Sequence, residues 1–414
     1  MKSENSEKRV LFINHSVRDG GPGRSLFYIL KHIDRKIIRP FVLIPRDDIF
    51  SERLKEEGIY RDVIIDSRFP DGFFRPVSAR LSIKPEAAGF LAPALTAFLK
   101  TAYAVVNIVR IAALVFNCGG LLRELRIDLI HCNGTIAKIT GAFIGLIHRR
   151  PVVWHVRNIQ QVRFLKFVIT RLASLSAVKK IICVSRATAL QFGDNPKVRV
   201  IYNGIDPEDF ERRTSSGVLR KEFSIPEDSI IIGNTGRVVP RKGYKHMIEV
   251  AATLLKNGDL RNKIKFVIVG DTPGFFAKNH LSEIKARVEH MGIADCFVFT
   301  GFRKDVSGCL ADFDIFLMPS NYPDPFPRSV IEAMSFAIPV TGFKVGGIEE
   351  SVEDGVTGIL SPPGDDSHMT ESVLRLIEDE DLRKSMGQAG QRRAKSLYSA
   401  KDKTAEVQSV LTED

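Results

Sequence analysis

At 414 residues, with 44% hydrophobic and 26% charged side chains, the chain is long enough for two or three packed domains and too apolar to be disordered. Its net charge of +11 is lopsided: residues 1–210 hold 33 Lys and Arg against 19 Asp and Glu, and the rest holds 27 against 30. The five cysteines, an odd count without a C-x-x-C pair, read as buried reduced thiols rather than disulfides or metal ligands.

The polar start is followed by an apolar run, Val10–Ile13, too short for a signal peptide, so a cytoplasmic location is expected. Strand-like runs then recur at Val10–Asn14, Phe41–Pro45, Val63–Asp66, Leu129–Cys132, Val152–Val156, Ile181–Ser185 and Val198–Tyr202. Most are continuous rather than alternating, which predicts parallel strands buried on both faces. Gly20, Gly21 and Gly23 make a glycine-rich turn between the first strand and a helix from Ser25. The apolar stretch Leu91–Leu122 is long enough to span a bilayer. Lys100, Tyr103, Asn107 and Arg110 nevertheless recur at helical spacing, which predicts an amphipathic helix rather than a span; its broad apolar face meets either the protein core, the commoner case, or a bilayer. Phe69–Phe98, with Phe73, Phe74, Phe90 and three cations (Arg75, Arg80, Lys84), adds an aromatic and basic flank. From Leu129 to Gly193 there are ten cations and no acid: Lys138, Arg149, Arg150, Arg157, Arg163, Lys166, Arg171, Lys179, Lys180 and Arg186. Such a face suits an anionic membrane surface, a charged glycan or nucleic acid; the last lacks a recognition helix or an aromatic strand motif.

Residues 206–229, polar and holding Pro207, Gly217 and Pro226, read as a linker. A second strand series follows at Ile230–Gly233, Lys265–Gly270, Phe297–Thr300, Ile315–Pro319, Pro339–Gly342 and Gly358–Leu360. The fold class is therefore α/β, with two doubly wound Rossmann-like domains: residues 1–205, then 230–396, with a last helix in 397–414.

Two motifs carry the chemistry. T-G-R-V-V-P-R-K-G (Thr235–Gly243) lies between a strand and a helix, so Arg237 and Lys242 sit at the carboxyl end of a parallel strand, where a diphosphate fits. D-P-F-P-R-S-V-I-E-A-M places Asp324 on a loop and Glu332 in the helix it feeds, two carboxylates suited to sugar hydroxyls. Together they describe a nucleotide-sugar. Asp312 and Asp314 spell Asp-x-Asp but open a strand, so no metal site is expected.

With these motifs the chain resembles the retaining glycosyltransferases of GT-B fold, the large group-1 (family 4) type. Val345–Leu360, Ile201–Asp206 and Asp19–Leu26 extend the likeness. The resemblance implies two domains facing across a cleft, with the last helix crossing back onto the first. It implies that Arg237 and Lys242 bind the donor diphosphate, Glu332 the ribose, and Asp324 the sugar, where the family has Glu. It places Phe302, Phe326, Arg328 and Ser329 beside the donor, although Pro325 and Pro327 replace the usual glycines. It gives Gly20, Gly21 and Gly23 a donor-phosphate or acceptor contact, and sets His155 toward the transferred sugar. The implied reaction moves a hexose from a UDP- or GDP-linked donor, without cofactor or metal, to a glycan or lipid-linked acceptor in cell-envelope polysaccharide synthesis. A GT-B epimerase or phosphorylase, and a basic nucleic-acid-binding protein, stay open as alternatives.

Overall fold

The computed structural model describes residues 7–15, 20–70, 72, 92–206, 217–274 and 279–413. Phe73, Phe74, Phe90 and the neighbouring cations Arg75, Arg80 and Lys84 lie outside the described residues, as do residues 207–216 of the expected linker. The chain divides into two compact units: Met1–Gly204 with Ala400–Asp414, and Ile205–Ser399.

Unit 1 is built on β1 (Lys8–Asn14), β2 (Ile38–Ile44), β3 (Val63–Ile65), β4 (Leu129–Asn133), β5 (Val152–Val156), β6 (Val178–Cys183) and β7 (Val198–Val200). They form one parallel sheet in the order β3-β2-β1-β4-β5-β6-β7. Every residue of β4 and β5 is buried, which is why these strands read as unbroken apolar runs. β6 starts at Val178, earlier than expected: Lys179 and Lys180 interrupt the apolar run, but pairing with β5 continues past them through a one-residue register shift between Val178 and Lys180.

Helices α1 (Gly21–His32) and α2 (Ile49–Glu56) pack one face of this sheet, sharing a core with Val407 and Leu411 of the C-terminal helix Ala400–Thr412. Helices α3 (Ala92–Asn117), α4 (Thr135–Ile147) and α5 (Arg163–Ala173) supply Leu114, Ile144 and Ile169 to the core of the other face.

Unit 2 repeats the plan with β8 (Ile230–Thr235), β9 (Ile264–Val269), β10 (Phe297–Gly301), β11 (Ile315–Met318), β12 (Val340–Phe343) and β13 (Gly358–Ser361). The order is β10-β9-β8-β11-β12-β13, again all parallel. Among its helices, α6 (Tyr244–Leu254) follows β8 and α7 (Arg328–Ser335) follows β11.

In each sheet the strand order reverses direction once, between β1 and β4 and between β8 and β11. Loops leaving the carboxyl ends of such a strand pair diverge to opposite faces and leave a crevice, the place where open α/β sheets bind ligands. All thirteen expected strands are present, and all five cysteines are free and buried.

Candidate active site

The loops that flank the β8–β11 reversal are 82 residues apart in sequence and meet through an ion pair. Lys242 Nζ lies 2.8 Å from Asp324 Oδ2, with both side chains mostly buried. The contact follows from the topology: β8 leads through Arg237 into the 3₁₀ turn Pro240–Lys242, β11 leads to Asp324, and the two strands are neighbours.

Two glycines let these loops close. Gly243 has φ +72°, and a Cβ there would stand 1.9 Å from the Pro319 carbonyl. Gly346 has φ +56°, a Cβ there would collide with the Asp324 backbone, and the neighbouring Gly347 amide donates to the Asp324 carbonyl at 2.7 Å. The V-G-G-I segment thus holds Asp324 from behind. Ser320 Oγ donates to the Arg241 carbonyl at 2.9 Å, and Tyr244 Oη to Asn234 Oδ1 at 2.8 Å, so the cationic loop is anchored on both sides.

The helix α7 brings in the remaining charges. Glu332 is only 4% exposed and faces Arg328 Nη2 across one turn at 3.4 Å. An apolar base of Val330, Ile331, Ala333 and Met334 locks the helix in place. Phe326 is buried edge-on against Tyr398, and Ser329 stands half-buried in the first turn. Arg237 is half-buried on the β8 side. Phe302 differs: it is exposed and follows the edge strand β10, two strands from β8.

Unit 1 holds the other expected residues. Gly20 has extended backbone that any residue adopts, and Gly21 has nothing within 4 Å of a notional Cβ, so no backbone strain at either position calls for glycine. The turn is tied to the β1–β4 reversal by Asn133, whose Nδ2 donates to Asn14 Oδ1 at 2.9 Å and to the Pro22 carbonyl at 3.0 Å.

His155, at the end of β5, is fully buried with its Nδ1 3.2 Å from His131 Nε2. Arg157 donates to that same Nδ1, to Asn133 Oδ1 and to Asn203 Oδ1. As an acceptor, Nδ1 carries no proton, which leaves the neutral ring's hydrogen on Nε2. Burial and the Arg157 charge push both imidazoles down, His131 to about 3. A cavity of about 20 Å³ opens beside this cluster, lined in part by Ser25, His155, Arg157, Asn203 and Lys403 and large enough for one water.

His131, Asn133 and Arg157 were not singled out as site residues from the sequence. The available signal was their polarity at the carboxyl ends of two otherwise apolar strands. Two members of the ten-cation run, Arg157 and Lys138, are buried and so do not belong to an exposed basic face.

Asp312 accepts the Gly217 and Leu219 amides, and Asp314 accepts the Ile231 amide at 2.8 Å. Both carboxylates thus anchor backbone within unit 2. Among the described residues no cluster of three His, Cys, Asp or Glu has metal-binding geometry.

Comparison with known proteins agrees with this picture. Residues 216–393 match the family model for group-1 glycosyl transferases, and residues 19–209 match that for glycosyltransferase family 4. A 2-deoxystreptamine glucosyltransferase of Streptomyces kanamyceticus is 29% identical over 186 residues. That match spans 44% of this chain and 46% of the relative, about half the length of the curated protein. An Escherichia coli UDP-Gal:alpha-D-GlcNAc-diphosphoundecaprenol alpha-1,3-galactosyltransferase is 22% identical over 376 residues, 86% of this chain and 87% of that protein. Anabaena Alr3699/HepE, solved in complex with UDP and glucose, superposes with a TM-score of 0.77 at 24% identity, covering 99% of this chain and 100% of that one, which shows the fold.

The histidine pair makes the stability of unit 1 depend on pH. Below the ordinary histidine value of 6.5 an unfolded chain takes up protons that His131, held near 3, and His155 refuse in the folded unit. This contribution is therefore complete above pH 6.5 and is lost as pH falls below it, by roughly 1 kcal/mol per pH unit and histidine. Trp154, the one tryptophan, is fully buried in β5 and reports unfolding of this unit. Its fluorescence melt should fall by several degrees from pH 7.5 to 5.5, and His131→Asn should reduce that slope. A melting temperature unchanged over this range would refute neutral burial.

Proposed function

The chain belongs to the group-1 glycosyltransferases of GT-B fold, and on that premise we propose that it is a retaining hexosyltransferase, using a nucleoside-diphosphate sugar and a glycan or lipid-linked acceptor. The observation that carries this reading is the Lys242–Asp324 contact between the two loops of one strand-order reversal, with Arg237 on the first loop and Glu332 in the helix that the second loop feeds. Cations stand where a leaving diphosphate gathers charge, and carboxylates stand where hydroxyls need acceptors. Departure of the nucleoside diphosphate leaves positive charge on the sugar and adds negative charge to the phosphates. Arg237 and Lys242 stabilise that negative charge as it grows, which lowers the barrier rather than merely tightening binding.

Asp324 has two occupations in this scheme. Without donor it neutralises Lys242; with donor it orients a sugar hydroxyl while Lys242 turns to the diphosphate. Glu332, set by Arg328, accepts from the ribose. His155, neutral, is a hydrogen-bond donor through Nε2. No cofactor or metal is required, because the two cations neutralise the phosphates and the Asp312 and Asp314 carboxylates are engaged by backbone amides. A UDP-linked donor is favoured by the likeness to a protein solved with UDP and glucose. The E. coli relative, named for a diphosphoundecaprenol substrate, favours a lipid-linked acceptor, and we infer on that basis a place in cell-envelope polysaccharide synthesis.

Arg237→Ala and Lys242→Ala should each lower kcat/KM by roughly 100-fold or more while leaving the melting temperature within a few degrees. Full activity in either variant would remove the assignment. Donor turnover that needs no acceptor would instead indicate an epimerase.

Asp324→Asn should separate binding from transfer. It leaves Lys242 without its counter-charge, so UDP, which has no sugar, should bind at least as tightly as to the wild type by calorimetry, while transfer falls. Weaker UDP binding would show that Asp324 does not compete for Lys242.

Activity should also survive EDTA. Loss on chelation, restored by Mn²⁺ or Mg²⁺, would return Asp312 and Asp314 to consideration as ligands.

A further inference from the structure

The outer face of the α3–α4–α5 layer is built against the usual rule. In a doubly wound domain the side of each helix turned from the sheet meets water and is polar. Here α3 turns a polar side chain inward: Asn107 is buried, donates to the Gly72 carbonyl at 3.1 Å and accepts from Arg110. Phe98, Val105, Val109 and Phe116 fall on the opposite side and point away from the core, the two phenylalanines 69% and 67% exposed. The sequence left open whether the broad apolar face of this helix meets the core or a bilayer, and the structure divides that face between the two sides. Ile111, Leu114 and Val115 reach the core, and the rest of the apolar surface faces out.

The neighbouring helices continue the pattern. On α4, Phe143, Leu146 and Ile147 are exposed. On α5, Ile169 and Ala173 are buried, while Phe164 and Phe167, three residues apart on the opposite side, are 75% and 55% exposed. Cations accompany them: Arg163, Lys166 and Arg171 on α5 are exposed, and the Arg171 guanidinium lies 5.2 Å from the centre of the Phe167 ring. No acid occurs from Leu129 to Gly193 to balance them.

We propose that unit 1 docks on an anionic phospholipid surface through this face, with the phenylalanines at the boundary of headgroups and acyl chains and the α5 cations among the headgroups. The inference rests on the surface of unit 1 alone and holds whatever sugar is transferred. Charge selects the partner. A second copy of the same face would bring like charges together, and protein interfaces are poor in lysine. Aromatic rings flanked by Arg and Lys suit a negatively charged interface.

The helical stretch Ala94–Glu124 is long and apolar enough to cross a bilayer, but topology argues against a crossing. β3 and β4 flank it and belong to one sheet, so the chain between them must begin and end on the same side. The return passage would fall to residues 66–91, which carry Asp66, Arg68, Asp71, Arg75, Arg80, Lys84 and Glu86, too many charges for a hydrocarbon core. α3 therefore lies along the interface rather than through it.

Sedimentation of the full chain with vesicles tests this, using phosphatidylcholine alone and phosphatidylcholine mixed with phosphatidylglycerol, at low and high salt. The chain should pellet with the anionic vesicles and little with the neutral ones. Burying each phenyl ring is worth roughly tenfold or more in partitioning, so Phe164→Asp with Phe167→Asp should abolish most binding at either salt concentration. Arg163→Glu with Lys166→Glu should remove chiefly the salt-sensitive part, each exposed cation contributing about fivefold. Both pairs are exposed, so the Trp154 fluorescence melt should stay unchanged and exclude misfolding as the cause. The proposal is overturned if the wild type stays in the supernatant with anionic vesicles at low salt, or if the phenylalanine variant binds as well as the wild type. A wild-type dimer that ignores vesicles and that the same variant turns into a monomer would overturn it in favour of a second copy of the chain.

Discussion

The 2.8 Å contact between Lys242 and Asp324 is the constraint on which the chemistry of unit 2 depends. It exists because β8 and β11 are neighbours at the point where the sheet reverses its strand order, so the loops leaving them diverge and then face each other. Everything else around it serves to hold those two loops. Gly243 packs against the Pro319 carbonyl, the Gly347 amide and the space left by Gly346 cradle Asp324, and Ser320 ties the second loop to the first. A lysine with its carboxylate already in place need not be desolvated alone, and a diphosphate entering the site replaces one counter-charge with another. The proposed transfer reaction rests on this arrangement of charge rather than on the sheet, which many unrelated activities share.

Unit 1 repeats the architecture with the opposite electrostatic logic. Among the described residues, its reversal point between β1 and β4 is closed by amides and a buried arginine. Arg157 satisfies three acceptors there: two asparagine side chains and a histidine. The same guanidinium and the absence of solvent keep His131 and His155 neutral. A positive charge held in this way favours an electron-rich partner and does not supply a general base at neutral pH. His155 is accordingly read as a hydrogen-bond donor.

The outer layer of unit 1 combines two features that are separately ordinary. Exposed apolar side chains are common one at a time, and basic surface runs are common in proteins with no membrane partner. Their coincidence is what matters: phenylalanines turned outward on three adjacent helices, cations between them, and an asparagine buried on the side where an apolar residue would be expected. If the acceptor is lipid-linked, a face of this kind would keep the protein where the acceptor is presented, and the site in unit 2 would then need only to admit a soluble donor.

Much of the fold was legible in the amino-acid sequence. A parallel strand buried on both faces must be apolar along its whole length, and all thirteen such runs are strands, with ends displaced by a few residues where lysines interrupt the apolar pattern, as in β6. The residue types at Arg237, Lys242, Asp324 and Glu332 were equally legible, because strand–loop–helix punctuation places them at carboxyl ends. What the sequence could not say is who meets whom. Lys242 and Asp324 are separated by a stretch of chain whose route depends on strand order, and strand order is chosen by packing, not by local pattern. The His131–Arg157 cluster was hidden for the same reason, since its members become neighbours only through sheet register. Periodicity showed that Lys100, Tyr103, Asn107 and Arg110 share one side of α3, yet gave no sign of which side the sheet would take. That was decided by where Ile111 and Leu114 find partners. Burial of Lys138 and Arg157 likewise separated two cations from a run of ten that looked uniform. Local chemistry sets what each segment can be; only the assembled sheets determine which side chains are turned toward each other and which toward the surroundings.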